Sequence, residues 1–214
     1  MGNYPRIPDR LRAVDELTIA LKEHACLSVE DRCCYLWERV TAGRYDQYPT
    51  NQLIKNLQIE NCHKGTTRWH HKTTAIRHAI SALEQMIPPD WKQICTFVPV
   101  PPSVPKYDDR HDSRILDILN GVRNPRLDVR ELVMQTEEIP SKQKDIRPED
   151  RAKKYLIDSQ FLQPTPKWFV VFDDVLAGGS HFKAMQIVLQ DRFPNTTVWG
   201  LFLARAIRPI LSVD

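Results

Sequence analysis

One stretch of this chain limits its fold more than any other. Trp168-Phe-Val-Val-Phe172 is a run of aromatic and β-branched residues, the composition of a strand buried on both faces. It ends in two carboxylates, Asp173-Asp174. Val175-Leu176 and a loop of small residues, Ala177-Gly178-Gly179-Ser180-His181, come next, and helical spacing resumes from Phe182 to Leu189. The loop holds the chain's one adjacent glycine pair. A strand without polar alternation needs strand neighbours on both edges and helices on both faces.

The same logic extends through the second half. Ile94–Val100 is an apolar run ending in prolines, Leu132–Met134 a short β segment, and Thr197–Leu203 another buried strand. Ser113–Leu119 has helical spacing, with Gly121 as its C-cap residue. Strands alternating with helices predict an α/β fold over residues 90–214, an open, mainly parallel twisted sheet flanked by helices. Before Pro88-Pro89 the pattern reads helical. The spacing predicts helices over 9–24 (Leu11, Val14, Leu17, Leu21, with Asp9 as N-cap), 29–40 (Cys33, Leu36, Trp37, Val40), 50–57 and 73–86. Residues 1–89 thus read as a helical N-terminal region, a hood or a partner-binding surface. Residues 135–158 form a polar, basic stretch, long enough to act as a lid.

Composition narrows the classes. With 42% hydrophobic and 27% charged residues the chain is neither disordered nor fibrous, and no apolar run approaches the ~20 residues that span a bilayer. A formal charge of +3 is too small to argue nucleic-acid binding by itself. The five cysteines form no CxxC pair and no export signal precedes them, so reduced thiols and a cytoplasmic location are expected. Cys62-His63 and Arg68-Trp-His70-His71-Lys72 fit no standard zinc spacing. They read better as a surface face for a protein or nucleic-acid partner.

The chemistry gathers at 173–181. In open α/β sheets ligands bind beyond the carboxyl ends of the strands. The N-terminus of the following helix offers free N–H groups to a phosphate, and Gly178-Gly179 let backbone approach it closely. Ionised Asp173 and Asp174 accept hydrogen bonds from sugar hydroxyls or hold a hard cation. No GxxxxGK[ST] or GxGxxG occurs, so neither a P-loop nor a dinucleotide site has support. The residue types specify a phosphorylated, diol-bearing sugar.

These residues resemble a known family. Phe169–Phe182 is similar to the phosphoribosyl pyrophosphate (PRPP) motif of type I phosphoribosyltransferases. Thr96-Phe-Val-Pro99-Val-Pro101, with Asp108-Asp-Arg110 and a helix after it, resembles the strand end of ComF-like phosphoribosyltransferases. The resemblance covers roughly residues 92–205. It implies that Asp173 and Asp174 hold the ribose hydroxyls and serve Mg²⁺, and that Ala177, Gly178, Gly179, Ser180 and His181 wrap the 5′-phosphate. It implies that Pro101–Arg110 meets pyrophosphate and that Lys142, Lys144, Arg147 and Arg151 close over the leaving group. The activity implied is transfer of ribose phosphate from PRPP to a nitrogen acceptor; such folds often form homodimers, and the oligomeric state is left open by the sequence. Ala177-Gly178 replace two threonines that many members carry, and His181 stands where a hydroxyl residue is common. That altered loop supports an alternative, a module that binds PRPP or a nucleotide without turnover and acts through a partner.

Overall fold

The computed structural model describes residues 3–21, 23–41, 47–138 and 146–208. In chain order the elements are β1 (Arg12–Ala13), α1 (Glu16–Ala20), β2 (Cys33–Val40), α2 (Pro49–Leu57), α3 (Thr67–Met86), α4 (Pro89–Ile94) and β3 (Cys95–Pro99). Then come α5 (Arg114–Gly121), β4 (Asp128–Val129), β5 (Val133–Gln135), α6 (Pro148–Ala152), β6 (Tyr155–Ile157), β7 (Trp168–Leu176), α7 (Ser180–Arg192) and β8 (Thr197–Ile207).

The fold is α/β. A six-stranded mixed sheet has the order β1-β2-β8-β7-β3-β4, with β2, β8, β7, β3 and β4 parallel and β1 antiparallel at one edge. β5 and β6 form a separate antiparallel pair. The chain lays β4 on one side of β3 and then returns to lay β7 on the other. At such a reversal open α/β sheets bind ligands beyond the carboxyl ends of the strands, here those of β3 and β7.

Each sheet face carries its own core. Val170 and Phe172 of β7 pack with Leu53, Ile54 and Leu57 of α2, Ala75, Ala79 and Leu83 of α3, and Ile118 of α5. Phe169 and Val171 point the other way, onto Phe182, Met185 and Leu189 of α7 and Tyr155 of β6. Phe97, Phe169, Phe172 and Phe202 are fully buried. Each contributes roughly 1.5–3 kcal/mol of apolar burial, which is why the central strands read as unbroken hydrophobic runs.

Two expectations for the N-terminal region are corrected. Residues 33–40 are a strand, not a helix, paired in parallel with β8 from Cys33↔Gly200 to Val40↔Ile207. A short apolar run satisfies helical and buried-strand spacing alike, and here the sheet supplies the partner. The first 89 residues therefore contribute two strands to the same sheet as the second half. The helix expected over 9–24 shrinks to α1, capped by Asp15 rather than Asp9. Of its expected apolar stripe, Val14 is buried while Leu17 and Leu21 are exposed.

Gly121 also differs from expectation. It is the last helical residue of α5, and Val122 is the C-cap. A Cβ there would fall 2.2 Å from Ile80 Cδ1, so the missing side chain is what lets α5 lie against α3.

Candidate functional site

Successive side chains on a strand point to opposite faces, so the pleat of β7 divides the acidic pair. Asp174 turns toward α2 and α5. There its Oδ2 accepts from Arg114 Nε (3.0 Å), Arg114 Nη2 (2.9 Å) and Gln58 Nε2 (3.1 Å). Arg114 Nη1 donates to Asp112 Oδ2 at 2.9 Å. The same oxygen receives Lys72 Nζ at 2.8 Å, while Nζ also donates to the Ile59 carbonyl at 2.7 Å. The result is a buried chain of alternating charge, Lys72–Asp112–Arg114–Asp174, across the top of β3 and β7.

Asp173 lies on the α7 face, with Tyr155 in its field. The two aspartates titrate in opposite directions. Burial, reinforced by the negative charge on Asp174, pushes the Asp173 carboxyl up to about 8. Burial also opposes ionisation of Asp174, but Arg114 and Gln58 outweigh it and hold that carboxyl below its ordinary value. At neutral pH the couple carries one negative charge, on Asp174, and that charge is already met by Arg114.

The loop after β7 is built as a turn into a helix. Gly179 has φ +88°, a left-handed conformation that glycine adopts without strain, and it is the N-cap of α7. Ala177 and Gly178 are exposed, and their carbonyls accept from His24 Nδ1 and from Cys26 N (2.9 Å) respectively. The segment 24–27 thus braces the turn from its carbonyl side. Ser180 Oγ donates to the Ile146 carbonyl at 2.7 Å and accepts from Arg151 Nε at 3.2 Å. His181 Nδ1 is buried with no hydrogen-bond partner, as is the Tyr155 hydroxyl. Burial, with the charge of Arg151, lowers His181 to about 4, so its ring is neutral at pH 7. Around the α7 N-terminus stand one buried guanidinium, one neutral imidazole and one serine hydroxyl, a set suited to an anion.

The expected site residues fall into four groups. Asp173, Ala177, Gly178, Gly179, Ser180, His181 and Arg151 gather on the α7 side of the carboxyl end of β7, while Asp174 faces α2 and α5 across the strand. Pro101 is half-buried in the wall of a neighbouring cavity behind β3. Arg110 and Arg147 point outward: Arg110 pairs with Asp108 and Glu138, and Arg147 pairs with Asp150. Lys142 and Lys144 lie outside the described residues. Lys72, read as part of a surface face, is 2% exposed and belongs to the buried charge chain. Among the described residues no group of three or more His, Cys, Asp or Glu side chains gathers as a metal cage. No described helix is long and apolar enough to cross a membrane.

Sequence reading missed Arg114, Gln58 and Tyr155. Arg114 left a legible signal: a cation at the first residue of a helix is opposed by the helix dipole, so it needs local acids to hold it there. Asp112 two residues earlier is one of them. Gln58 and Tyr155 left none, because their roles depend on α2 and the β5–β6 pair packing against β7.

No protein-family model matches this chain, and a search of curated proteins gives no match.

Proposed function

We propose that the carboxyl end of β7 binds a phosphorylated ribose, PRPP or a related ribose 5-phosphate compound, with Mg²⁺ carried in on the ligand's phosphates. The reading rests on one observation: an acidic strand end, a left-handed glycine turn and the N-terminus of a 13-residue helix meet at the carboxyl end of β7, where the strand order reverses beside β3. The amides of 178–181 receive the 5′-phosphate, and Arg151 supplies a fixed positive charge beside them. Asp174 accepts from the ribose hydroxyls once Arg114 exchanges that carboxylate for the ligand's pyrophosphate. In the transfer reading, Arg114 then stabilises the departing pyrophosphate while a nitrogen acceptor attacks the sugar carbon. The strand order and the resemblance of Phe169–Phe182 favour a phosphoribosyltransferase type of fold and activity.

The Arg114–Asp174 contact favours a second reading, a module that binds ribose phosphate without turnover. A carboxylate already holding three donors is slow to give them up, and a neutral Asp173 adds no charge for a metal. The test is twofold. PRPP with Mg²⁺ raises the melting temperature, and Asp173→Asn with Asp174→Asn removes the shift. Absence of a shift with any phosphorylated ribose defeats both readings. Pyrophosphate release with a panel of nitrogen bases then selects the transferase, and stabilisation without release selects the binding module.

A further inference from the structure

A cavity of about 230 Å³ lies behind the site, between the loop after β3, the start of α5 and the β5–β6 pair. Its wall is largely apolar, with Val100, Val104, Ile115, Leu116, Val133 and Leu156 among its residues. Its wall shares the 101–107 segment with the stretch expected to meet pyrophosphate, but its interior is apolar and takes no part in holding phosphate. Ligand cavities typically measure about 300–1,000 Å³, so this one suits a molecule of one or two rings.

Three observations give the occupant its chemistry. The first is charge. Asp112 on the wall is paired with Lys72 and Arg114, and Glu131 with Lys106 at 2.9 Å. His111 Nδ1 is engaged with the Val104 carbonyl at 3.0 Å. With these side chains already engaged, a charged ligand would lose its hydration without gaining a counter-ion here. The second is Gln135, 8% exposed, whose Nε2 donates to the carbonyls of Ser103 (2.6 Å) and Glu137 (2.9 Å). Those two acceptors fix which end of the amide is nitrogen, and Oε1 is left buried without a partner. A buried acceptor left unmet costs roughly 1–3 kcal/mol, and a ligand N–H removes that cost. The third is the rim. Tyr107 is 84% exposed and Leu156 57% exposed, and both line the cavity. A ring seated inside would cover apolar surface that now faces water.

We propose that this cavity binds a small, uncharged, planar aromatic molecule that donates an N–H to Gln135 Oε1, with Tyr107 and Leu156 closing over its outer face. The site is independent of the phosphate loop, although Asp112 joins its wall to the Arg114–Asp174 contact.

Paired probes test the hydrogen bond without relying on a variant. Indole and benzothiophene share a two-ring shape, and sulfur replaces the N–H in the second. Each is titrated into the full chain by calorimetry and by amide NMR. Indole is expected to bind about tenfold tighter, the worth of one hydrogen bond to a buried acceptor, with shifts centred on residues 100–116 and 131–136. In Gln135→Leu the two probes become equal. Leu116→Trp fills the cavity and abolishes binding of both. Equal affinities in the wild type, shifts mapping elsewhere, or no binding of either probe below millimolar concentration overturns the proposal. If Gln135→Leu fails to fold, the wild-type ratio alone decides.

Discussion

Arg114 and Asp174 are locked together, with Nε and Nη2 of the guanidinium both on the single oxygen Oδ2, at 3.0 and 2.9 Å. Both side chains are largely buried, at 19% and 7% exposed. In such a place the loss of one partner strands the other's charge out of water. Arg114→Met is therefore expected to cost about 3–5 kcal/mol in urea unfolding. Adding Asp174→Asn removes the stranded charge, so the double variant loses clearly less than the sum of the single losses. Additive losses would show that the pair contributes through packing alone.

Asp173 gives the protein a stability that declines with alkali. An acid whose folded pKa is raised stabilises the folded state below its unfolded value near ~4, and that contribution drains away as pH rises. Here the folded value is about 8, so the loss runs from roughly pH 4 to 8. Asp173→Asn keeps the neutral shape and does not titrate. Its melting temperature relative to wild type is expected to climb steadily across that window. A difference that stays constant with pH would mean Asp173 is ionised in the folded protein at neutral pH.

His181 works in the opposite direction. Burial and Arg151 lower it to about 4, so its contribution is complete above the unfolded value near ~6.5 and disappears as pH falls toward 4. His181→Gln is expected to flatten the acid side of the melting-temperature profile between those limits. His24 and His78, also lowered by burial, leave a residual slope. Parallel profiles for variant and wild type would place the imidazole in contact with water.

The sequence made the second half of the fold legible because its signals were local. Trp168–Phe172 and Thr197–Leu203 had to be buried strands, and Pro88 had to stop α3. The N-terminal half was not legible for a physical reason: Cys33, Leu36, Trp37 and Val40 satisfy a helix, and the fact that decides between strand and helix is the free edge of β8, about 165 residues away in sequence. The acidic pair and glycine turn are visible as a string, but the pleat that sends Asp173 and Asp174 to opposite faces depends on how far the strand continues. A strand continuing to Leu176 makes that division unavoidable. Arg110 is the arginine that the sequence offers directly after the acidic Asp108-Asp109 pair. Four positions along a non-helical connection separate a surface arginine, 61% exposed, from the one at the start of α5 that reaches the site.

The two adjacent glycines separate folding from binding. At Gly179 a side chain meets both a left-handed backbone and the Leu27 side chain, whose Cγ and Cδ2 would lie 2.8 Å from the new Cβ. Gly179→Ala therefore costs about 1–2 kcal/mol from the backbone alone, and more from the contact. Gly178 has nothing within 4 Å of a Cβ position and no positive φ. Gly178→Ala is expected to leave stability within about 0.5 kcal/mol of wild type. Its methyl would nonetheless project at the mouth of the turn, where a phosphate must come close to the amides. Thermal unfolding with and without ribose 5-phosphate reads both effects at once. The expected outcome is an unchanged melting temperature without ligand and a lost or reduced shift with it. A full ligand shift in Gly178→Ala would mean that the phosphate, wherever it binds, does not approach the backbone of this turn.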